Sequence, residues 1–165
     1  MANDTWATPL EVFNTLDNEF KFAFDVCAQH ETAKCPEYWT IEDDALSKDW
    51  AKDTSQLFGR SLWCNPPYSK IGPWVQKAIE AQLNGVGTVM LVMCDPSVKW
   101  FADAIQYASE IRYIVNGRLA FLNNGVPQKG NNKGSVIFVF DPYRIGWAQT
   151  RYVDRGYYFF KGSVK

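Results

Sequence analysis

Residues 87–94, read Gly-Thr-Val-Met-Leu-Val-Met-Cys, form an almost unbroken apolar run. A strand that is hydrophobic on both sides must be covered on both faces, as central strands are in a sheet held between helices. The flanking patterns agree. Residues 72–84 predict a helix, with Pro73 near its start, Asn84-Gly85 at its end, and Trp74, Val75, Ala78, Ile79 and Leu83 as its buried stripe. Residues 97–107 predict another, started by Ser97, with Trp100, Phe101, Ala104 and Ile105 turned inward. Residues 135–140, Ser-Val-Ile-Phe-Val-Phe, read as a second strong strand.

The rest of the chain fits around this centre. Residues 9–18 predict a helix with Leu10, Phe13 and Leu16 on one face, capped by Thr8, with Pro9 at its first position. Phe20, Phe22 and Phe24 alternate through 20–26 as a strand with one apolar face. Residues 27–45 are irregular apart from an extended piece at 38–41. Residues 46–56 predict a helix with Leu46 and Trp50 inward, and 58–64 a strand stopped by two prolines. Residues 110–115 and 118–122 are extended and separated by an Asn116-Gly117 turn. A polar loop follows at 123–134, and residues 143–165 suit a last strand and packing arm. Strand–helix alternation closing on late strands predicts one three-layer α/β domain over 1–165, with its site at the carboxyl ends of the strands.

Composition removes several classes. In 165 residues, 47% apolar and 21% charged side chains argue against disorder. Four irregularly spaced cysteines do not make a secreted disulfide framework. No apolar run reaches membrane-spanning length, and the amino terminus lacks the basic-then-apolar order of a signal peptide. The expectation is a cytoplasmic, reduced protein. Its net charge of −1 hides a split: residues 1–97 carry fourteen acids and seven bases, residues 98–165 ten bases and four acids. A basic second half suits a polyanionic partner.

Chemistry concentrates at Asn65-Pro66-Pro67-Tyr68, directly after a hydrophobic strand. With proline at about 5% of positions, a polar-Pro-Pro-aromatic tetrapeptide arises by chance in roughly one such chain in two hundred. The residue types suit one task. An exocyclic amine on a ring is a poor nucleophile, and an acceptor side chain (Asn65) with a backbone carbonyl (Pro66) can orient its lone pair and spread developing charge. Pro66 and Pro67 add no competing N–H, and Tyr68 offers a flat face to a planar base.

This motif resembles that of the amino-methyltransferases that use S-adenosylmethionine. The wider pattern, Trp6-x-Thr8-Pro9, then F-A-F-D-V-C-A at 22–28, A-K-C at 33–35, D-D-A-L at 43–46, C-N-P-P-Y at 64–68, E-I-R-Y-I at 110–114 and G-R-L-x-F at 117–121, is similar to the small phage-encoded, Dam-like DNA N6-adenine methyltransferases. The resemblance covers about residues 5–142. It implies a Rossmann-like methyltransferase fold, mostly parallel with one antiparallel late strand, S-adenosylmethionine as donor without a metal, and adenine in DNA, flipped from the helix, as acceptor. It implies that Asp25 meets the amino-acid end of the donor, that Trp6, Thr8 and Pro9 lie along its methionine part, and that Asp44 accepts from its ribose or adenine. Val26, Cys27, Ala28 and Asn65 complete that set, although Asp25-Val26-Cys27-Ala28 stands where the wider enzymes carry a Gly-x-Gly. Only 39 residues separate Asp25 from Asn65 and no large target-recognition insert follows, so specificity falls to short loops or a partner subunit, a homodimer being one form, or is weak.

Other readings stay open at this point. The same motif serves cytosine N4, RNA guanine N2 and protein glutamine, and a non-catalytic nucleic-acid-binding protein could keep the fold. Asp25 could simply cap a turn, and Asp43-Asp44 could start a helix. Cys27, His30, Cys35 and Cys64 lack the paired spacing of common zinc sites, which favours buried thiols. For DNA the candidates are Lys99, Arg118, Lys129 and Lys133 toward phosphate, with Asn131 and Asn132 toward base edges.

Overall fold

A computed structural model describes residues 4–57, 61–129 and 133–162. Seven strands form one sheet: β1 (Phe22–Asp25), β2 (Glu37–Tyr38), β3 (Ser61–Cys64), β4 (Thr88–Met93), β5 (Glu110–Val115), β8 (Ser135–Phe140) and β9 (Gln149–Asp154), in the order β2-β1-β3-β4-β8-β5-β9. All pairings are parallel except those of β8, which runs antiparallel to both β4 and β5. The expected mostly parallel sheet with one antiparallel late strand is therefore present. Residues Leu122–Asn123 (β6) and Val126–Pro127 (β7) make a separate two-stranded ribbon. None of the described helices is long and apolar enough to cross a membrane.

Helices cover both faces. On one face α2 (Trp50–Asp53), α3 (Gly72–Leu83) and α4 (Lys99–Tyr107) set Trp50, Trp74, Val75, Ala78, Phe101 and Ala104 against Leu62, Met90 and Phe138. On the other, α1 (Leu10–Phe20) and α5 (Arg155–Gly162) set Val12, Phe13, Leu16 and Tyr158 against Trp63, Leu91 and Ile137. The run in β4 is buried from Thr88 to Val92 because it lies between these two layers.

Several local expectations change, each for a physical reason. Phe20 ends α1; Lys21 then takes a left-handed conformation, φ 56°, and the Asp17 side chain accepts from the Phe22 N–H at 2.9 Å. A register shift between Phe22 and Phe24 turns these two rings to opposite faces, so the three phenylalanines do not share one. The 46–56 helix is three short turns: a 3-10 turn at Ala45–Ser47, the single turn α2, and a second 3-10 turn at Ser55–Leu57. The expected strand at 58–64 is described from Ser61; residues 58–60 lie outside the described residues. Leu10, Leu83 and Ile105 are exposed, while Gln82 is buried and donates to the carbonyls of Tyr107 and Asp141. Residues 118–121 are not a strand, yet Leu119 and Phe121 are buried against the α1 face.

The carboxy-terminal arm is the expected strand and packing element. β9 pairs with β5, and α5 lies on α1, where the Thr15 hydroxyl donates to the Tyr158 carbonyl at 2.9 Å. A buried guanidinium locks this edge. Arg112 makes a bidentate pair with Glu19 at 2.6 and 2.7 Å, bonds Glu110 at 3.0 and 3.1 Å, and lies over the Phe20 ring; Arg151 joins Glu110 at 2.9 Å. Arg112 is thus committed inside the fold, while the half-exposed Arg151 ties the rim of the cluster. Removing the buried guanidinium leaves Glu19 without its partner and Glu110 with Arg151 alone. Arg112→Met is expected to lower unfolding free energy by about 3 kcal/mol in urea titration, and a loss below about 1 kcal/mol would contradict that role.

Candidate active site

The chain leaves β1 toward β2 on one side and returns as β3 on the other. Such a reversal opens a crevice at the carboxyl ends of the two diverging strands. A cavity of about 760 Å³ occupies it, within the range of small-molecule and cofactor sites. It is lined by residues 4–8, 25–32, Lys34, 40–42, 44–46 and Asn65, with Trp63, Pro67, Ser69, Lys70 and Trp74 completing the wall.

Asp25 ends β1 and is only 2% exposed. Its two carboxylate oxygens accept from the Cys27 N–H at 3.2 Å and the Lys34 N–H at 3.0 Å. Burial outweighs these bonds and pushes the carboxyl up to about 6. Each oxygen keeps further acceptor capacity, so the arrangement suits a cationic ligand group. Burial likewise pushes the Cys27 thiol up to about 12, so it is a neutral lining group rather than a nucleophile.

Asn65 follows β3, and its Nδ2 donates to the Thr8 hydroxyl at 2.9 Å. Its Oδ1 is buried without a hydrogen-bond partner. Thr8 therefore does not cap α1, whose N-cap is Pro9 without a side-chain bond; its hydroxyl holds the asparagine amide instead. A buried carbonyl oxygen left unpaired is costly unless a ligand donor meets it. Pro66 is buried and Pro67 half-buried. The Tyr68 hydroxyl is also buried without a partner, and burial holds the phenol well above its ordinary value. The Tyr68 ring stands edge-on to Phe121 with centroids 5.8 Å apart.

Trp6, Thr8, Asp25, Val26, Cys27, Ala28, Asp44 and Asn65 thus come together around one cavity. Pro9 lies behind it as the buried N-cap of α1, and Pro66 and Tyr68 adjoin Asn65 outside the lining. Asp44 takes a left-handed conformation, φ 50°, between two 3-10 turns; the capping of that segment falls to Asp43, which accepts from the Thr40 N–H at 2.8 Å. Sequence reasoning missed Asp4, which accepts from the Ser69 N–H and hydroxyl, and Ile41, an aliphatic side chain 88% exposed on the cavity wall. An exposed isoleucine just beyond a strand end is the signal that could have found the second. Nothing local marks the first.

The other candidates scatter. Cys35 is buried on the α1 face and Cys64 on the opposite one, while His30 bonds the Tyr38 hydroxyl; no metal-ligating group of three forms among the described residues. Lys99 pairs with Asp103 on α4 and Lys133 with Asp95 beyond β4. Lys129 is exposed just past the ribbon, and the Arg118 carbonyl accepts from Arg155. Asn131 and Asn132 lie outside the described residues.

A switch-point crevice with a buried acid at the end of β1, beside an Asn-Pro-Pro-Tyr turn after β3, is the arrangement expected of a Rossmann-like amino-methyltransferase. The family model described as DNA N-6-adenine-methyltransferase (Dam) matches residues 1–164. A DNA N-6-adenine-methyltransferase of Haemophilus phage HP1 is 39% identical over 84% of this chain and 79% of its own length. One of Escherichia phage T1 is 34% identical over 92% of this chain and 69% of its own. A putative methyltransferase of Escherichia coli K12 is 38% identical over 44% of this chain and 76% of its own. The chain belongs to the DNA N-6-adenine-methyltransferase (Dam) family.

The Asp25 carboxyl carries a stability consequence. Its folded value, about 6, exceeds its ordinary 3.8, so the fold holds this proton more tightly than the unfolded chain does. The resulting stability is full below 3.8 and is lost as pH rises through 6. In the unliganded protein, Asp25→Ala is expected to abolish a component that weakens folding by about 1 kcal/mol between pH 5 and pH 7. Denaturant titrations of both proteins at the two pH values measure it; parallel pH dependences would refute the assignment.

Proposed function

We propose that the chain transfers a methyl group from S-adenosylmethionine to N6 of adenine in DNA. The observation that carries this reading is the unpaired Oδ1 of Asn65, an amide whose Nδ2 is held by Thr8, at the edge of a cavity that is also lined by the buried Asp25 carboxyl. The family and the relatives' named activity supply the acceptor.

The residues present fit the donor. Asp25 would take its ammonium group. Ile41 and Trp6 offer apolar wall for its rings and chain, and Asp44 lines the same cavity. Bound there, S-adenosylmethionine supplies a methyl group on a sulfonium, which is an excellent leaving group. Positioning is then the main task left to the protein.

Asn65 Oδ1 and the Pro66 carbonyl would each accept one N6 hydrogen of the adenine. That keeps the lone pair out of the ring and stabilises positive charge as the N–C bond forms and the S–C bond breaks. One N6 proton is then released to water. With Nδ2 donating to Thr8, Oδ1 is the amide atom left without a partner, and the prolines leave no N–H to compete. The Tyr68 ring would stack on the base. A duplex hides N6 from in-line attack, so the adenine must leave the helix at a cost of a few kcal/mol, which these contacts offset.

Expressed in a bacterium lacking its own adenine methylation, the wild-type protein should place N6-methyladenine in the DNA, quantified by mass spectrometry of nucleosides. Asn65→Ala should lower the signal by roughly a hundredfold or more while S-adenosylmethionine affinity, read by calorimetry, stays within a few-fold. Methylation of the wild type's RNA or protein alone would redirect the acceptor assignment.

A further inference from the structure

The β6–β7 ribbon stands apart from the seven-stranded sheet, and the proposed reaction does not use it. Its turn is Asn124-Gly125, both at positive φ (50° and 78°), as a two-residue hairpin of this hand requires. Its root is tied to the catalytic motif at two places. Leu122 exchanges two backbone hydrogen bonds with Ala7, at 2.7 and 2.8 Å, and the next residue, Thr8, holds the Asn65 amide. Phe121, immediately before the ribbon, contacts the Tyr68 ring. A third bond, Gln128 N–H to the Phe121 carbonyl at 2.8 Å, closes the root.

The tip presents apolar and polar groups together. Val126 is 59% exposed, and Pro127, Asn124 and Gly125 are exposed with it. Asn123 and Val126 are direct cross-strand partners, so an amide and an isopropyl group share one face of the ribbon. Lys129 is exposed two residues beyond β7. Hydrogen-bonding amide, apolar wedge and cation on a narrow two-stranded element match what a DNA groove and stack accept: a two-stranded ribbon fits the major groove, asparagine pairs with a base edge, and apolar side chains inserted at a base step unstack it.

Resting on the DNA reading above, we infer that the β6–β7 ribbon is the element that reads and opens the duplex, with Val126 wedged into the stack beside the target adenine, Asn123 on a neighbouring base edge and Lys129 on phosphate. The two ties at its root set the wedge at a fixed place relative to Asn65 and Tyr68, so the base it displaces is the one they receive.

Unmethylated bacterial genomic DNA treated with the purified wild-type protein, then mapped by single-molecule sequencing, yields the methylated sites. Short duplexes carrying that site, with the target adenine either paired with thymine or placed in a mismatch, then serve as substrates. Val126→Ser is expected to lower kcat/KM on the paired duplex by roughly tenfold or more, and on the mismatched duplex by far less, because the mismatch has already lost much of the pairing that the wedge must disrupt. Asn123→Ala should leave the map degenerate at one position of the site. Calorimetric S-adenosylmethionine affinity and thermal unfolding, unchanged in both variants, exclude a folding defect. Equal loss on paired and mismatched duplexes, or wild-type kcat/KM on both, overturns the wedge; an unchanged site map in Asn123→Ala overturns the base contact. A wild-type protein that methylates no DNA overturns the reading of the acceptor and this inference with it.

Discussion

Everything in the site depends on where the chain changes direction across the sheet. Because β2 and β3 lie on opposite sides of β1, no connection covers the carboxyl ends of β1 and β3, and two polar residues can emerge there side by side. Asp25 and Asn65 are those residues. Neither is stabilised by its surroundings as well as water would stabilise it: one is a carboxylate whose ionisation is opposed by burial, the other an amide whose oxygen has no partner. Both incur their cost in the unliganded state, and a ligand with a cation and a donated N–H relieves it. The fold carries that cost because broad apolar layers on both sheet faces anchor β1 and β3 from behind.

The second dependency is the amino-terminal segment. Residues 4–8 are not part of the sheet, yet Asp4 holds Ser69, Ala7 holds Leu122 and Thr8 holds Asn65. The catalytic turn, the ribbon and the cavity wall therefore share one short strap. The strap is fixed at its far end by α1, and α1 is fixed by α5 and by the bidentate Arg112–Glu19 pair. A carboxy-terminal arm remote in sequence thereby helps to position the Asn65 amide, which is a structural reason for the last strand and helix beyond simple core closure.

Much of this was legible in the residues, and the boundary of legibility has a physical location. The layered architecture followed from periodicity, because β4 and β8 are buried on both faces and α3 and α4 on one. Asp25, Asn65 and most of the residues named with them do line one cavity, and they were named from Asn-Pro-Pro-Tyr and the pattern around it. What failed were inferences that assume regular geometry or local bonding. Alternation at Phe20, Phe22 and Phe24 implied one apolar face, but a helix end and a register shift intervene, and neither leaves a compositional trace. Leu83 and Ile105 have the right helical phase for the core yet are exposed. Thr8 has the chemistry of a helix cap, but its partner is 57 residues away. Local pattern cannot choose between two acceptable uses of one hydroxyl; tertiary contact does.

The charge split shows the same limit and refines it. A count of ten bases in the second half suggested a polyanionic partner, but Arg112 and Arg151 neutralise Glu19 and Glu110, Lys99 meets Asp103, and Lys133 meets Asp95. The asymmetry in sequence thus supplies internal ties between the late strands and the early helices as well as surface charge. Lys133 is instructive among them: its partner Asp95 follows β4, and the Cys94 N–H also bonds the Gly134 carbonyl at 2.8 Å, so the segment returning from the ribbon is stitched to the sheet where β8 begins. The ribbon is held at one root by the strap and Tyr68, and the chain leaving it is held by β4. An element tied at its root in this way can project side chains to a fixed position, which a free loop of the same composition could not do.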